Sequence, residues 1–176
     1  MGGRLGVDSR LGEGSTFWFE LSLQPSGAPP EAPPEPVPAE NGELTARVLL
    51  VEDDQINQMV VEAMLTRLGC EVDVVEDGAA ACEAAAQTRY DMILMDCHMP
   101  VMDGFEATRH IRDDETLRGA GHTPIVALTA DALAGDRERC LEAGMDDYLT
   151  KPVSSATLGS TVERWTGRKT APPTQW

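Results

Sequence analysis

Several apolar runs of this chain are followed at once by side chains that can do metal or phosphate chemistry. These side chains are Glu52, Asp53, Asp54, Asp96, Thr129 and Lys151. Packed carboxylates repel one another, so a group of them stays ionised only when a cation lies among them. The candidate ligand side chains are hard oxygen donors, with no His or Cys side chain among them, and such a set favours Mg²⁺ or Mn²⁺ over Zn²⁺.

Asp96 is the candidate nucleophile of this set. A carboxylate can attack phosphorus and form an acyl phosphate. Phosphoryl transfer then needs alignment and neutralisation of the charge on the equatorial oxygens. The ammonium of Lys151 and the hydroxyl of Thr129 can contribute to both, together with Mg²⁺. We therefore expect Asp96, Thr129 and Lys151 to be the catalytic group of a magnesium-dependent phosphoryl-transfer site.

The elements that must position these side chains alternate between short apolar runs and amphipathic stretches. The apolar runs predict strands over 47–51, 72–75, 91–95, 124–128 and 147–149. The amphipathic stretches predict helices over 56–68, 79–87, 105–111, 132–142 and 154–165. Apolar strands separated by helices are typical of a parallel sheet with both faces covered. Ligands of such a sheet bind beyond the carboxyl ends of its strands, which is where the polar residues above fall.

The charge of the chain limits its partners. The net charge is −16, and residues 46–166 carry −13 of it, from ten basic and twenty-three acidic residues. A field of this sign disfavours binding to nucleic acid or to an anionic membrane surface. No apolar run approaches the roughly 20 residues of a membrane-spanning helix, so we expect no membrane insertion by this chain. The four cysteines are scattered, which indicates neither a zinc site nor a disulfide framework and fits the cytoplasm.

Two segments outside the predicted sheet have compositions of their own. Residues 24–45 contain seven of the twelve prolines and no basic residue, which is typical of a semi-rigid, extended linker. A Pro-rich docking site is the alternative interpretation of this segment. Residues 167–176 follow the last predicted helix, and we expect them to form a disordered tail.

Four motifs in residues 46–166 together resemble a known family. They are VLLVEDDQIN at 48–57, MILMDCHMPVMDG at 92–104, ALTA at 127–130 and Lys151-Pro152. In this order they resemble the receiver (response regulator) domain of two-component signalling, especially receivers attached to hybrid histidine kinases. The resemblance implies a flavodoxin-like, doubly wound α/β fold with a five-stranded parallel sheet in the order 2-1-3-4-5. It also implies that Asp96 accepts a phosphoryl group from a histidine.

The resemblance assigns roles to further residues. Asp53 and Asp96 would bind Mg²⁺, Glu52 would act on the metal through water, and the backbone carbonyl of His98 would be a further ligand. Lys151 would contact the phosphoryl group. Thr129 and Tyr148 would form the switch pair, in which the hydroxyl moves toward the phosphoryl group and the ring follows inward.

Residues 1–23 resemble the last two strands of a histidine-kinase ATP-binding domain, including a Gly-x-Gly-Ser-Thr turn at 12–16. This resemblance implies that the chain is the C-terminal part of a hybrid sensor histidine kinase. The earlier ATP-binding motifs are absent from this sequence, so we do not expect the chain itself to be a kinase. A receiver still has phosphotransfer and autophosphatase chemistry. The expected partner is a histidine kinase or a His-containing phosphotransfer protein.

Plainer interpretations exist for several of these residues and for the function. Asp54 is more typical of a helix N-cap, and Thr129 could also cap a helix. Tyr148 could equally be a half-buried aromatic, and the side chain of His98 is more typical of a surface position. For the whole chain, the alternatives are a stand-alone response regulator, a Mg²⁺-dependent aspartyl phosphatase, and a binding module that is never phosphorylated.

Overall fold

The computed structural model describes residues 3–10, 14–21, 46–130 and 134–170. The contacts between residues group the chain into two units, residues 1–40 and residues 41–176. The predicted linker, residues 24–45, lies outside the described residues. The strands of the two units are numbered together along the chain.

The first unit contains an antiparallel hairpin of β1 (Gly3–Arg10) and β2 (Gly14–Leu21). The register pairs Leu5 with Phe19 and Val7 with Phe17. Paired residues lie on the same face of a hairpin, so this face is apolar. Its side chains are exposed, with Leu5 81% and Phe17 77% accessible. An isolated hairpin of two strands is marginally stable in water.

The second unit is built on a parallel sheet. Its strands are β3 (Arg47–Val51), β4 (Glu71–Val75), β5 (Met92–Asp96), β6 (Ile125–Thr129) and β7 (Asp147–Thr150). The sheet has five strands in the order β4-β3-β5-β6-β7, and every neighbouring pair is parallel. Counted within this unit, the order is 2-1-3-4-5, so the predicted flavodoxin-like α/β fold is confirmed.

Helices cover both faces of this sheet. They are α1 (Gln55–Arg67), α2 (Gly78–Gln87), α3 (Gly104–Arg118), α4 (Ala134–Ala143) and α5 (Ser155–Thr166). Alternate strand residues belong to two separate cores: Leu49 packs with residues of α2, α3 and α4, and Leu50 packs with residues of α1 and α5. The strands are apolar at consecutive positions because each of their faces contributes to a core.

The helix ends are set by local side chains and by glycine. Asp54 is the N-cap of α1, where its carboxylate accepts the backbone N–H groups of Ile56 and Asn57 at 2.9 and 3.0 Å. The N-cap interpretation of Asp54 is therefore confirmed. At the C-terminal end of α3, Gly119 takes the left-handed conformation that terminates many helices, with φ 61°.

Two expectations about the chain are corrected. The helix predicted over 105–111 continues to Arg118, because its polar last turns carry Arg112, which pairs with Glu115 at 2.7 Å and with Asp146 at 2.8 Å. The tail predicted to be disordered begins with placed residues: Arg168 donates to Asp91 at 2.9 Å. Residues 171–176 lie outside the described residues. Within the described ranges, no helix combines the length and the apolar character that crossing a membrane requires.

Candidate functional site

The carboxyl ends of β3, β5 and β7 bring three charged side chains together. Lys151 follows β7, and its ammonium nitrogen lies 2.7 Å from Oδ2 of Asp96 and 2.6 Å from Oε2 of Glu52. The backbone N–H of Lys151 donates to the carbonyl of Thr129 at 2.7 Å, which anchors this segment to the end of β6. The sequence prediction that these residues meet at one edge of the sheet is confirmed.

Asp96 is held from two sides. Its Oδ1 accepts the backbone N–H of His98 at 3.1 Å, and its Oδ2 accepts from Lys151. The residue is only 6% exposed. The backbone of Gly104, the first residue of α3, packs directly on the main chain of Asp96, and a Cβ at this position would overlap the carbonyl oxygen of Asp96. A glycine at 104 therefore allows α3 to begin against the candidate nucleophile.

Glu52 is a buried carboxylate that is incompletely satisfied. It is 1% exposed, and its Oε1 accepts from the side-chain amide of Asn57 at 2.9 Å. Its Oε2 is in ion-pair contact with Lys151 but has no hydrogen-bond partner of suitable geometry among the described residues. The amide of Gln58 donates to the backbone carbonyl of Glu52 at 2.6 Å and fixes its main chain. A buried carboxylate with an oxygen in this state favours positive charge beside it, as the contact with the Lys151 ammonium shows.

Asp53 completes an acidic group of three. Glu52, Asp53 and Asp96 each offer one carboxylate oxygen, and these atoms all lie within 4.8 Å of one another. Asp53 is exposed, so the group is open to solvent on one side. Three anionic oxygens are only partly balanced by the Lys151 ammonium. The donor set and the unsatisfied oxygen of Glu52 therefore fit a hard divalent cation such as Mg²⁺.

The surroundings keep Lys151 charged. Burial acts to lower the pKa of Lys151, but its close polar contacts with Asp96 and Glu52, and the charges of these two carboxylates, outweigh it. The pKa of this lysine therefore lies above its ordinary value. At neutral pH the site contains a permanent ammonium beside the candidate nucleophile.

Thr129 and Tyr148 lie on neighbouring strands. Thr129 ends β6 and is 1% exposed, whereas Tyr148 in β7 is half-buried. The register pairs Ala127 with Tyr148, and strand alternation puts Thr129 on the same face as Ala127. The hydroxyl and the ring therefore share one face of the sheet in a diagonal arrangement. This arrangement suits the predicted switch pair, and it suits a half-buried structural tyrosine equally.

The side chain of His98 is exposed, and it makes an edge-to-face contact with Phe105 at 6.0 Å between ring centroids. It is not part of the acidic group, as expected for a surface side chain. The role of the His98 backbone carbonyl as a metal ligand stays a prediction. Sequence reasoning misses Asn57 and Gln58 as supports of Glu52; their signal is a pair of amides in the first turn of the helix that follows the acids.

The comparisons with known proteins agree with this geometry. The family model for the response regulator receiver domain matches residues 48–163. The chain therefore belongs to the receiver family, and the class of protein predicted from the four motifs is confirmed.

The particular relatives are sensor histidine kinases and their receivers. The chain is 47% identical to the sensor protein GacS of Pseudomonas syringae over 132 residues, which cover 73% of this chain and 15% of GacS. It is 40% identical to the sensor histidine kinase AruS of Pseudomonas aeruginosa over 154 residues, which cover 87% of this chain and 15% of AruS. The chain therefore spans a small part of the length of these relatives.

Two solved structures show what the described fold is similar to. The first is the receiver domain of the sensor histidine kinase PA1611 from Pseudomonas aeruginosa, with a magnesium ion in its active-site cleft (TM-score 0.65, 53% identity, 71% of this chain and 100% of that chain). The second is the receiver of the Saccharomyces cerevisiae response regulator Ssk1, crystallised with the histidine phosphotransfer protein Ypd1 (TM-score 0.67, 32% identity, 70% of this chain and 90% of that chain).

Proposed function

We propose that this chain is a phosphorelay receiver in which Asp96 accepts a phosphoryl group from a phosphohistidine of a partner protein. The observation that carries the proposal is the convergence of Asp96, Glu52 and Lys151 at one edge of the sheet, with contacts of 2.6 and 2.7 Å. The magnesium-bound receiver of PA1611 and the complex of Ssk1 with Ypd1 support it.

The chemistry of the proposed step follows from the positions of these groups. A carboxylate oxygen of Asp96 attacks phosphorus, the P–N bond to the histidine breaks, and the electron pair of that bond stays on the departing imidazole. Lys151 offers its ammonium to the charge of the transferred group, and Thr129 offers its hydroxyl. Mg²⁺, held by Glu52, Asp53 and Asp96, would supply further charge neutralisation. Water that reaches the acyl phosphate returns Asp96 to its free state.

The surface beside the site suits a protein donor. Ile56, Met59 and Val60 lie on one stripe of α1 and are 72%, 69% and 47% exposed. This stripe begins within one turn of the N-cap that follows Asp53. The partner must bring its histidine to Asp96, so its surface has to cover the neighbouring face. We assign this stripe to the contact with a histidine kinase or a His-containing phosphotransfer protein.

The hairpin supports an origin in a hybrid sensor histidine kinase. Its face of Leu5, Val7, Phe17 and Phe19 is exposed, as expected of strands cut from a larger sheet. In the proposed parent protein, the preceding part of the ATP-binding domain would cover that face. The match to AruS over 87% of this chain agrees with this origin. A stand-alone response regulator is the alternative. We propose a cytoplasmic location, which fits the reduced cysteines.

The test is phosphorylation by a small donor. Purified protein is incubated with Mg²⁺ and acetyl phosphate and is then weighed by intact mass spectrometry. We expect the wild type to gain one phosphoryl group and Asp96→Asn to gain none. Asp54→Asn is the matched control, because asparagine also caps helices and Asp54 is outside the acidic group. An unmodified wild type, or equal modification of Asp96→Asn, would contradict the proposal.

A further inference from the structure

Two cysteine thiols meet directly behind the candidate phosphoacceptor. The Sγ atoms of Cys97 and Cys140 are 3.8 Å apart, and neither residue forms a disulfide. Cys97 follows Asp96 in the chain, whereas Cys140 lies on α4. The two residues are 0% and 1% exposed. The pair therefore joins the segment that carries the nucleophile to a helix on the α2–α4 side of the sheet.

A second set of contacts links α4 to the residue after Cys97 by way of α3. The guanidinium of Arg139 on α4 lies over the ring of Phe105 at 4.5 Å. The same ring makes an edge-to-face contact with His98, which follows Cys97. The thiol pair thus lies at an interface that connects α4 to Cys97 directly and to His98 through Phe105. A change in the position of α4 at this interface alters the contacts of Cys97 and His98, which follow Asp96 in the chain.

The described side chains of α4 bury little apolar surface. Of its residues from 137 to 143, only Cys140 and Ala143 are buried, and Leu141 is 47% exposed. A helix with so little buried apolar surface opens locally at low free-energy cost. Local opening of α4 would expose both thiols, and reclosing would bring them back into contact.

We propose that Cys97 and Cys140 are a redox modification site at which a hydroperoxide produces an intramolecular disulfide. The sulfur of Cys140 attacks the peroxide, an S–O bond forms, the O–O bond breaks, and the leaving oxygen departs as water or an alcohol with the thiol proton. The sulfur of Cys97 then attacks the oxidised sulfur, an S–S bond forms, the S–O bond breaks, and a second water leaves. Two thiols are oxidised and one peroxide is reduced.

The disulfide slows phosphorylation of Asp96, a consequence that rests on the proposed function. An S–S bond is about 2.05 Å long, so the two segments must approach each other from their present separation. Cys97 cannot follow freely, because its N–H donates to Leu128 at 3.1 Å and its carbonyl accepts from Gly104 at 3.2 Å. The new bond therefore strains the backbone on both sides of Cys97, which includes Asp96 and the N–H of His98 that orients it.

The other two cysteines provide an internal comparison. Cys70 belongs to the core on the other face of the sheet, and Cys82 lies beside the core that contains Cys97 and Cys140. The Cys82 thiol contacts the carbonyl of Ala107 at 3.6 Å. We expect neither of these thiols to enter a disulfide when the folded chain is oxidised.

The first experiment maps the bond itself. The folded full-length chain is treated with hydrogen peroxide, digested without reduction and examined by mass spectrometry. We expect a linked peptide pair containing Cys97 and Cys140, which dithiothreitol separates. Cys140→Ser should give no such pair and no substitute linkage to Cys70 or Cys82. A wild type that stays reduced, or that links other cysteines equally, overturns the proposal without any need for the variant to fold.

The second experiment measures the consequence. Phosphorylation by acetyl phosphate is timed for reduced and for oxidised protein, and we expect the oxidised form to be slower by on the order of tenfold. Dithiothreitol should restore the rate, and peroxide should not change the rate of Cys140→Ser. An equal rate in both forms overturns the effect on phosphorylation. Failure of the reduced protein to react would instead count against the proposed function, and the mapped disulfide would be unaffected.

Discussion

Two clusters of charged side chains lie at opposite ends of the same sheet, and they differ in how completely they are satisfied. The candidate site is at the carboxyl ends of the strands and contains Glu52, Asp53, Asp96 and Lys151. The second cluster precedes β6 and β7 and contains Arg112, Glu115, His122 and Asp146. Both combine carboxylates with a strong cation, so residue types alone do not tell them apart.

The cluster around Arg112 is complete. Its guanidinium donates to Glu115 at 2.7 Å, to Asp146 at 2.8 Å, and to the carbonyls of Gly144 and Thr123 at 3.0 and 2.9 Å. The remaining oxygens are also occupied. Oε1 of Glu115 accepts the N–H of Thr123, and Oδ1 of Asp146 contacts His122 at 2.7 Å.

The candidate site is incomplete by comparison. One buried oxygen of Glu52 is in ion-pair contact with Lys151 but lacks a well-aligned hydrogen bond within the described residues, and Asp53 adds an exposed negative charge. The fold completes one cluster with its own backbone and leaves the other open to a metal ion and a phosphoryl group. The difference shows that a functional cluster is recognised by polar and charged groups that the fold itself does not fully satisfy.

Arg112→Met should have the largest effect, because it breaks the complete cluster. Arg112 is 16% exposed in its side chain, and its removal leaves Glu115 and Asp146 without their cation. We expect a loss of about 3–5 kcal/mol in the free energy of unfolding, measured by urea titration. Mg²⁺ should not restore it. Arg109→Met, on the exposed side of α3, is the control, and an equal loss there would contradict the prediction.

Lys151→Met should have an intermediate effect that Mg²⁺ partly reverses. Without the ammonium, the carboxylates of Glu52 and Asp96 repel each other in a partly buried site. We expect a loss of about 1–3 kcal/mol in EDTA, which Mg²⁺ reduces because it replaces the missing charge. Lys169→Met is the exposed control. A loss that is the same with and without Mg²⁺ would show that the two clusters do not differ as described.

Asp53→Asn should have the smallest effect on stability. Unlike the other two variants, it should stabilise the protein. The variant removes one negative charge from the acidic group, so we expect a gain of a few tenths of a kcal/mol in EDTA. Mg²⁺ affinity, measured by calorimetry, should fall about tenfold or more. The gain in stability should disappear in saturating Mg²⁺, because the bound ion then neutralises the acidic group of the wild type. An unchanged Mg²⁺ affinity would show that Asp53 is not a ligand of the metal site.

The sequence predicts those parts of the molecule that follow from local pattern. The strands are predictable because residues such as Leu49 and Ile93 are apolar without interruption, and the acids at their ends fall at the sheet edge by topology. The Arg112 cluster is not predictable, because Gly144 and Asp146 are distant in sequence and two of its acceptors are backbone carbonyls. The end of α3 is missed for the same reason, since its polar turns depend on that cluster.

The candidate site is also predictable from the sequence only in part. Asp96 and Lys151 are predictable from motifs, since the chemistry requires those residue types. The contact of Cys97 with Cys140 depends on how α4 packs onto the sheet. Helix packing of this kind leaves no regular spacing in the sequence.

The separation of the two cores has a practical consequence for spectroscopy. Leu49 and Leu50 are adjacent in sequence, yet they face different helical layers. An isotopic methyl label at each position would give two independent signals across the thickness of one strand. Comparing the two labels would show whether a chemical event at the sheet edge perturbs one layer alone or both together.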